Sequence, residues 1–187
     1  MLRFLIFLCL HVFWLSGCSH RSKTLDPELV ENSVILPVPF VAQESDYCGP
    51  ATVAMVAQYF GKSVSQEELA PLMITPSRKG ALTIDMYSVS RRLGLNFTRA
   101  SGLGEITDNL KSENPAIVLL EVGPFFWKKW HYAVVVGVNE SRELIYVHSG
   151  QDAYDELSYK EFEDLWQRSD RWSLIYHHHH DNEDQEN

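Results

Sequence analysis

The sequence predicts an α+β domain in which N-terminal helices pack on a C-terminal antiparallel sheet. Two observations predict it. Helical signals with starts and stops fill the stretch from Gly49 to Lys111, and apolar runs rich in β-branched residues dominate the stretch from Ala116 to Tyr176. Helices first and strands second, without alternation between them, is the α+β pattern. No internal repeat interrupts it.

The elements follow in order. Val34 to Val41 is held extended by Pro37, Pro39 and its β-branched residues. Gly49-Pro50 opens a helix whose run from Ala51 to Phe60 is stopped by Gly61, with the proline in a first turn where its missing N–H costs nothing. Ser65-Gln66-Glu67-Glu68 is a capping box that starts a second helix. Thr83 to Leu93 reads as a third, stopped by Gly94, and Glu105 to Lys111 as a shorter fourth. The period then changes. Ala116 to Val122, Tyr132 to Val138 and Glu143 to His148 read as strands; Ser158-Tyr159-Lys160-Glu161 caps a helix through Trp166, and Trp172 to Tyr176 is a last strand.

The ends carry a different message. Arg3 precedes an apolar run from Phe4 to Leu15, shorter than the ~20 residues that span a bilayer and placed where a cleaved signal belongs. The run closes on Leu15-Ser16-Gly17-Cys18, which resembles a bacterial lipobox. The expectation is a signal peptide over residues 1–17 and a lipid on Cys18. Residues 18–34 form a polar tether, 35–176 the domain, and 177–187 a His-rich, acidic, disordered tail. Ser19 after the Cys favours export to the outer membrane, facing the periplasm. The plainer reading is an ordinary secretory signal that contains a cysteine. A net charge of −9 argues against nucleic acid as a partner, because phosphate binding needs a basic surface.

Of three cysteines, Cys9 leaves with the signal and Cys18 takes the lipid, so Cys48 stands alone. A lone thiol in an exported chain is either buried and inert or reactive. Cys48 lies where a helix begins, and there backbone N–H groups and the helix dipole favour thiolate. Gly49 leaves room for a substrate backbone. Gln43, just upstream, can set a side-chain amide beside the Cys48 backbone N–H as an oxyanion hole. A nucleophilic Cys also needs a base. His20 lies in the tether, whereas His131 opens the strand running from Tyr132 to Val138, which fixes an imidazole better than a loop does. The bland alternatives are a buried apolar Cys at a helix start and a core His bonded to a carbonyl.

Gln43, Cys48-Gly49-Pro50-Ala51 and His131-Tyr132-Ala133-Val134-Val135-Val136-Gly137 together resemble the bacteriocin-processing (double-glycine) C39-like family of papain-fold cysteine peptidases. The likeness runs from about Val38 to Tyr176 and is nearest to stand-alone lipoprotein members. It implies a papain-like fold, a Cys48–His131 pair, no cofactor and hydrolysis of amide bonds in a peptide or protein substrate; the chain is expected to be a monomer. One departure stands out. The family usually ends the strand after the His strand in Asp-Pro, and that Asp orients the imidazole; here Ser149-Gly150 occupies the place. Three explanations stay open: a Cys–His dyad helped by Ser149, a carboxylate from elsewhere such as Asp152, or a weakened enzyme that serves as a peptide-binding module. A cell-wall amidase or transpeptidase could run on the same dyad.

Three further features are weighed and set aside. Phe125-Phe126-Trp127-Lys128-Lys129-Trp130 reads as a loop with some rings in the core, before a cleft wall or a membrane contact. His177 to His180 presents no fixed metal geometry. Cys48, His131 and His148 as a metal site lacks any close ligand pair.

Overall fold

The computed structural model describes residues 30–75, 77, 80–123, 126 and 128–178. The signal, Cys18, His20 and most of the tether and tail lie outside the described residues.

Helix α1 (Cys48–Tyr59) is apolar on every face, and Gly49 to Ala57 are all buried, the pattern of a helix enclosed on all sides. It starts one step earlier than the sequence implies, with Cys48 as its first residue. Helix α2 (Gln66–Met73) begins with the predicted capping box: the Ser65 hydroxyl accepts from Glu68 N–H and the Glu68 carboxylate accepts from Ser65 N–H. Helices α3 (Thr83–Arg92), α4 (Leu103–Lys111) and α5 (Tyr159–Trp166) fall where caps and stops place them, α5 again on a Ser158–Glu161 capping box.

A seven-stranded sheet backs the helices. It comprises β1 (Val34–Ile35), β4 (Asn96–Thr98), β5 (Ala116–Val122), β6 (Lys129–Asn139), β7 (Leu144–Ser149), β8 (Asp152–Ser158) and β9 (Ser173–His177). The order is β4-β9-β5-β6-β7-β8, with β1 paired to β6, and every pairing is antiparallel. A separate hairpin joins β2 (Ile74–Thr75) to β3 (Gly80–Ala81). Strands β4 and β8 and this hairpin are additions to the sequence reading. Asn96–Thr98 is too short to show a period, and Asp152–Ser158 carries acidic residues that depress strand propensity.

Strand β6 is the axis of the domain. Tyr132 to Asn139 are buried without alternation, so both faces are covered and the segment reads as one apolar run. Helix α1 packs on it, α2 and α3 pack on α1, and α5 lies against β5, β7 and β8. Gly137 is required where β1 crosses, since a Cβ there would stand 2.7 Å from the Val34 carbonyl oxygen. The folded unit reaches past its predicted limits at both ends. Asn139, fully buried, donates to Glu31 O and Ser33 Oγ, and His177 completes β9.

Candidate active site

Cys48 stands at the first turn of α1 with a free thiol. The turn before it is tight. Asp46 takes a left-handed backbone (φ 65°), which Asp tolerates, and Tyr47 N–H closes on Glu44 O at 3.1 Å. The cap residue, Tyr47, supplies no side-chain hydrogen bond, so the first amides of the helix keep their donors for another acceptor. The amides of Cys48 and Gly49 favour the thiolate, and so does the Tyr132 amide of β6, facing the sulfur. Burial opposes all three and prevails, pushing the thiol pKa up, with a small addition from the Asp46 charge. The sequence expectation of a lowered thiol pKa is therefore reversed. Helix position supplies the expected donors, but a helix buried this deeply also removes the water that would solvate a thiolate.

Gly49 has a different role from the predicted one. A Cβ on it would lie 2.5 Å from Ala81 Cβ and 3.2 Å from Met86 Sδ. The glycine lets α1 sit against β3 and α3, and the space beside it is filled by protein rather than open to substrate.

His131 lies on β6, paired with Leu120, immediately before Tyr132. Cys48, His131 and Gln43 line one cleft of ≈ 1020 Å³. Gly80 to Thr83, Leu119, Val122, Lys129 and Trp130 also line it. Burial holds the His131 pKa below the ordinary histidine range, and its Nε2 is buried with no hydrogen-bond partner. Neither Ser149 nor Asp152 bonds to it. Ser149 ends β7 and pairs with Asp152 across the β7–β8 turn. Gly150 in that turn has φ +61°, a conformation closed to proline, so the family's Asp-Pro could not occupy this turn unaltered.

Gln43 is gripped through its backbone. Its N–H donates to Gly150 O at 2.9 Å, and its carbonyl accepts from the Gln151 side-chain amide. Gln66 clamps the residues on either side: its Nε2 donates to Ala42 O at 2.9 Å and its Oε1 accepts from Glu44 N–H at 3.0 Å. Gln66 is buried, whereas along the sequence it reads only as part of a capping box. A polar residue on the buried side of an amphipathic helix was the available signal. The aromatic segment 125–130 is partly described: Trp130 lines the cleft at 55 % exposure and Phe126 is 86 % exposed, so these two rings are outside the core, and the other two lie outside the described residues. Of the histidine run, His177 meets Thr98 Oγ1 at 2.8 Å and His178 packs edge-on against Phe60 and Tyr59. No cluster able to hold a metal occurs among the described residues, and no helix among them is long and apolar enough to cross a membrane.

The model of the Peptidase C39 like family matches residues 35–174, more than half the chain. Among solved structures, a candidate C39-like peptidase from Bacillus anthracis matches at a TM-score of 0.63 and 16 % identity, over 79 % of this chain and 98 % of its own. The peptidase domain of Streptococcus ComA, a bifunctional ABC transporter of a quorum-sensing pathway, matches at 0.59 and 22 %, over 74 % and 96 %. A double-glycine-motif protease from an AMS/PCAT transporter, solved with its leader peptide, matches at 0.58 and 24 %, over 76 % and 92 %. These likenesses show the papain-like fold of C39 peptidase domains. No curated protein matches the chain.

Proposed function

Because the chain belongs to the Peptidase C39 like family, we propose that it is a cysteine peptidase using Cys48 as nucleophile and His131 as base. The observation that carries this is the convergence of a free thiol at an uncapped helix start, a histidine and Gln43 in one cleft. At rest the burial of both groups favours a neutral thiol and a neutral imidazole. His131 takes the thiol proton as Cys48 Sγ bonds to the carbonyl carbon of the scissile peptide. The resulting oxyanion is met by the Cys48 backbone N–H and the Gln43 side-chain amide. His131 then protonates the leaving amine, and water, deprotonated by His131, releases the acid and restores the thiol. The walls of the cleft, apolar at Leu82, Leu119, Val122 and Trp130, suit a peptide substrate.

The test is hydrolysis of a peptide library by the protein and by its Cys48→Ala and His131→Ala variants. Equal turnover in all three would sink the proposal. A second reading has one observation in its favour. His131 Nε2 lacks an acceptor, as in a catalytically weakened module that binds peptide; in that case peptide affinity survives Cys48→Ala and the wild type turns nothing over.

The proposal extends to the cellular setting. Supported by the apolar run from Phe4 to Leu15 closing on Leu-Ser-Gly-Cys, Cys18 is the site of lipid attachment that holds an exported enzyme at a membrane. Labelling with a tritiated fatty acid, lost in Cys18→Ala, checks it.

A further inference from the structure

His148 lies at the end of β7 and is fully buried, yet no step of the proposed chemistry uses it. Its ring nitrogens face opposite ways. Nε2 lies 3.0 Å from Val38 O, and Nδ1 accepts from Tyr154 N–H at 3.2 Å. A carbonyl only accepts and an amide only donates, so the partners fix the neutral tautomer with the proton on Nε2. The ring is held edge-on by Phe40 (centroids 5.3 Å apart) and by Tyr154 (4.6 Å).

Those contacts join two segments that meet again at the catalytic cleft. Val38 and Phe40 belong to the strap that leads into Gln43 and then Cys48. Tyr154 lies on β8, just past the turn whose Gly150 and Gln151 hold the backbone of Gln43. His148 is therefore the rivet between the strap and the turn, and Gln43 is fastened on the far side of it. Tyr154 itself has a left-handed backbone (φ 55°) beside the irregular pairing between Val147 and Ser149. This local conformation aims its amide off the regular ladder, and His148 Nδ1 receives it.

We propose that His148 is a positioning residue of the active site, holding the strap so that the Gln43 amide stays in register with Cys48. The inference rests on the peptidase reading for its catalytic consequence, but its geometric content stands apart from activity. Losing the rivet frees the strap upstream of α1 and leaves the thiol on its helix. A displaced oxyanion donor slows the chemical step and spares ground-state binding.

The experiment compares wild type with His148→Asn by hydrogen exchange and by kinetics. Exchange at the Gln43 amide should rise at least tenfold, with the amides of β5 and β6 still protected. In the same variant kcat should fall by about tenfold to a hundredfold with KM within about twofold, and alkylation of Cys48 by iodoacetamide should keep its wild-type rate. Unchanged protection at Gln43 overturns the proposal. So does freed exchange at Gln43 with an undiminished kcat. If His148→Asn loses protection throughout, His148→Gln, closer in length to the imidazole, is read in the same way. Loss throughout in both overturns the proposal, since His148 would then hold the whole fold. A wild type with no Cys48-dependent hydrolysis overturns the peptidase reading instead, and the exchange result alone then decides the role of His148.

Discussion

The backbone N–H of Gln43 donates to the carbonyl of Gly150 across 2.9 Å, fastening the segment ahead of Cys48 to the turn that follows β7, the strand beside the one that carries His131. The side chain of Gln43 is left free to serve the cleft while its backbone is held. Replacing Gln43 by Ala keeps that backbone bond and removes the amide. The expected result is a loss of roughly 10²–10³ in kcat, the usual effect of removing one oxyanion donor, with little change in the alkylation rate of Cys48. Steady-state kinetics beside a thiol-labelling assay measures both.

His131 Nε2 is buried without an acceptor, and Ser149 ends β7 at the place where the sequence resemblance leads one to expect an Asp. Ser149→Asp offers a carboxylate to that nitrogen and stabilises the imidazolium formed as Cys48 attacks. We expect kcat/KM to rise by about tenfold, a modest gain because the thiol is a strong nucleophile without the third member. A variant no faster than wild type would show that this side chain does not reach the imidazole.

Gly49 is packed against Ala81, Met86 and Met73. Gly49→Ala should destabilise the fold by about 1–3 kcal/mol through overpacking, despite the better helix propensity of alanine. Thermal unfolding reads this directly. If the glycine instead made room for substrate, stability would be unchanged or improved and KM would rise.

Burial lowers the pKa of both His131 and His148, so between the unfolded and folded values the unfolded chain binds more protons than the native one. Stability is full above the ordinary histidine range near 6.5 and falls as pH drops through that value toward the lower folded pKa values. Denaturant midpoints measured from pH 8 down to pH 4 should show this loss. For His148 the loss has a visible cause: a proton on Nδ1 would face the Tyr154 N–H, setting donor against donor. His148→Asn should flatten the pH dependence while lowering the midpoint at pH 8.

By itself the sequence determined the class of fold and the order of most elements, and it singled out Cys48, Gln43 and His131, which the structure brings to one cleft. Capping boxes at Ser65 and Ser158, the stop at Gly61 and the apolar run of β6 are local signals, carried by residues within a turn or a strand of one another, so they can be read along the chain. Cys48 and His131 were legible because each sits at a recognisable place in such an element, and Gln43 because it shortly precedes Cys48. What the tertiary structure decided lies between elements. The direction of the Cys48 pKa follows from how deeply α1 is enclosed, a quantity that no window of sequence contains. Gly49 serves packing because β3 and α3 arrive from elsewhere in the chain to fill its side. Gln66 and His148 hold the strap that carries Gln43 through bonds to backbone groups 22 to 110 residues away. Backbone donors and acceptors are the same at every position, so only folding selects which of them a buried side chain meets.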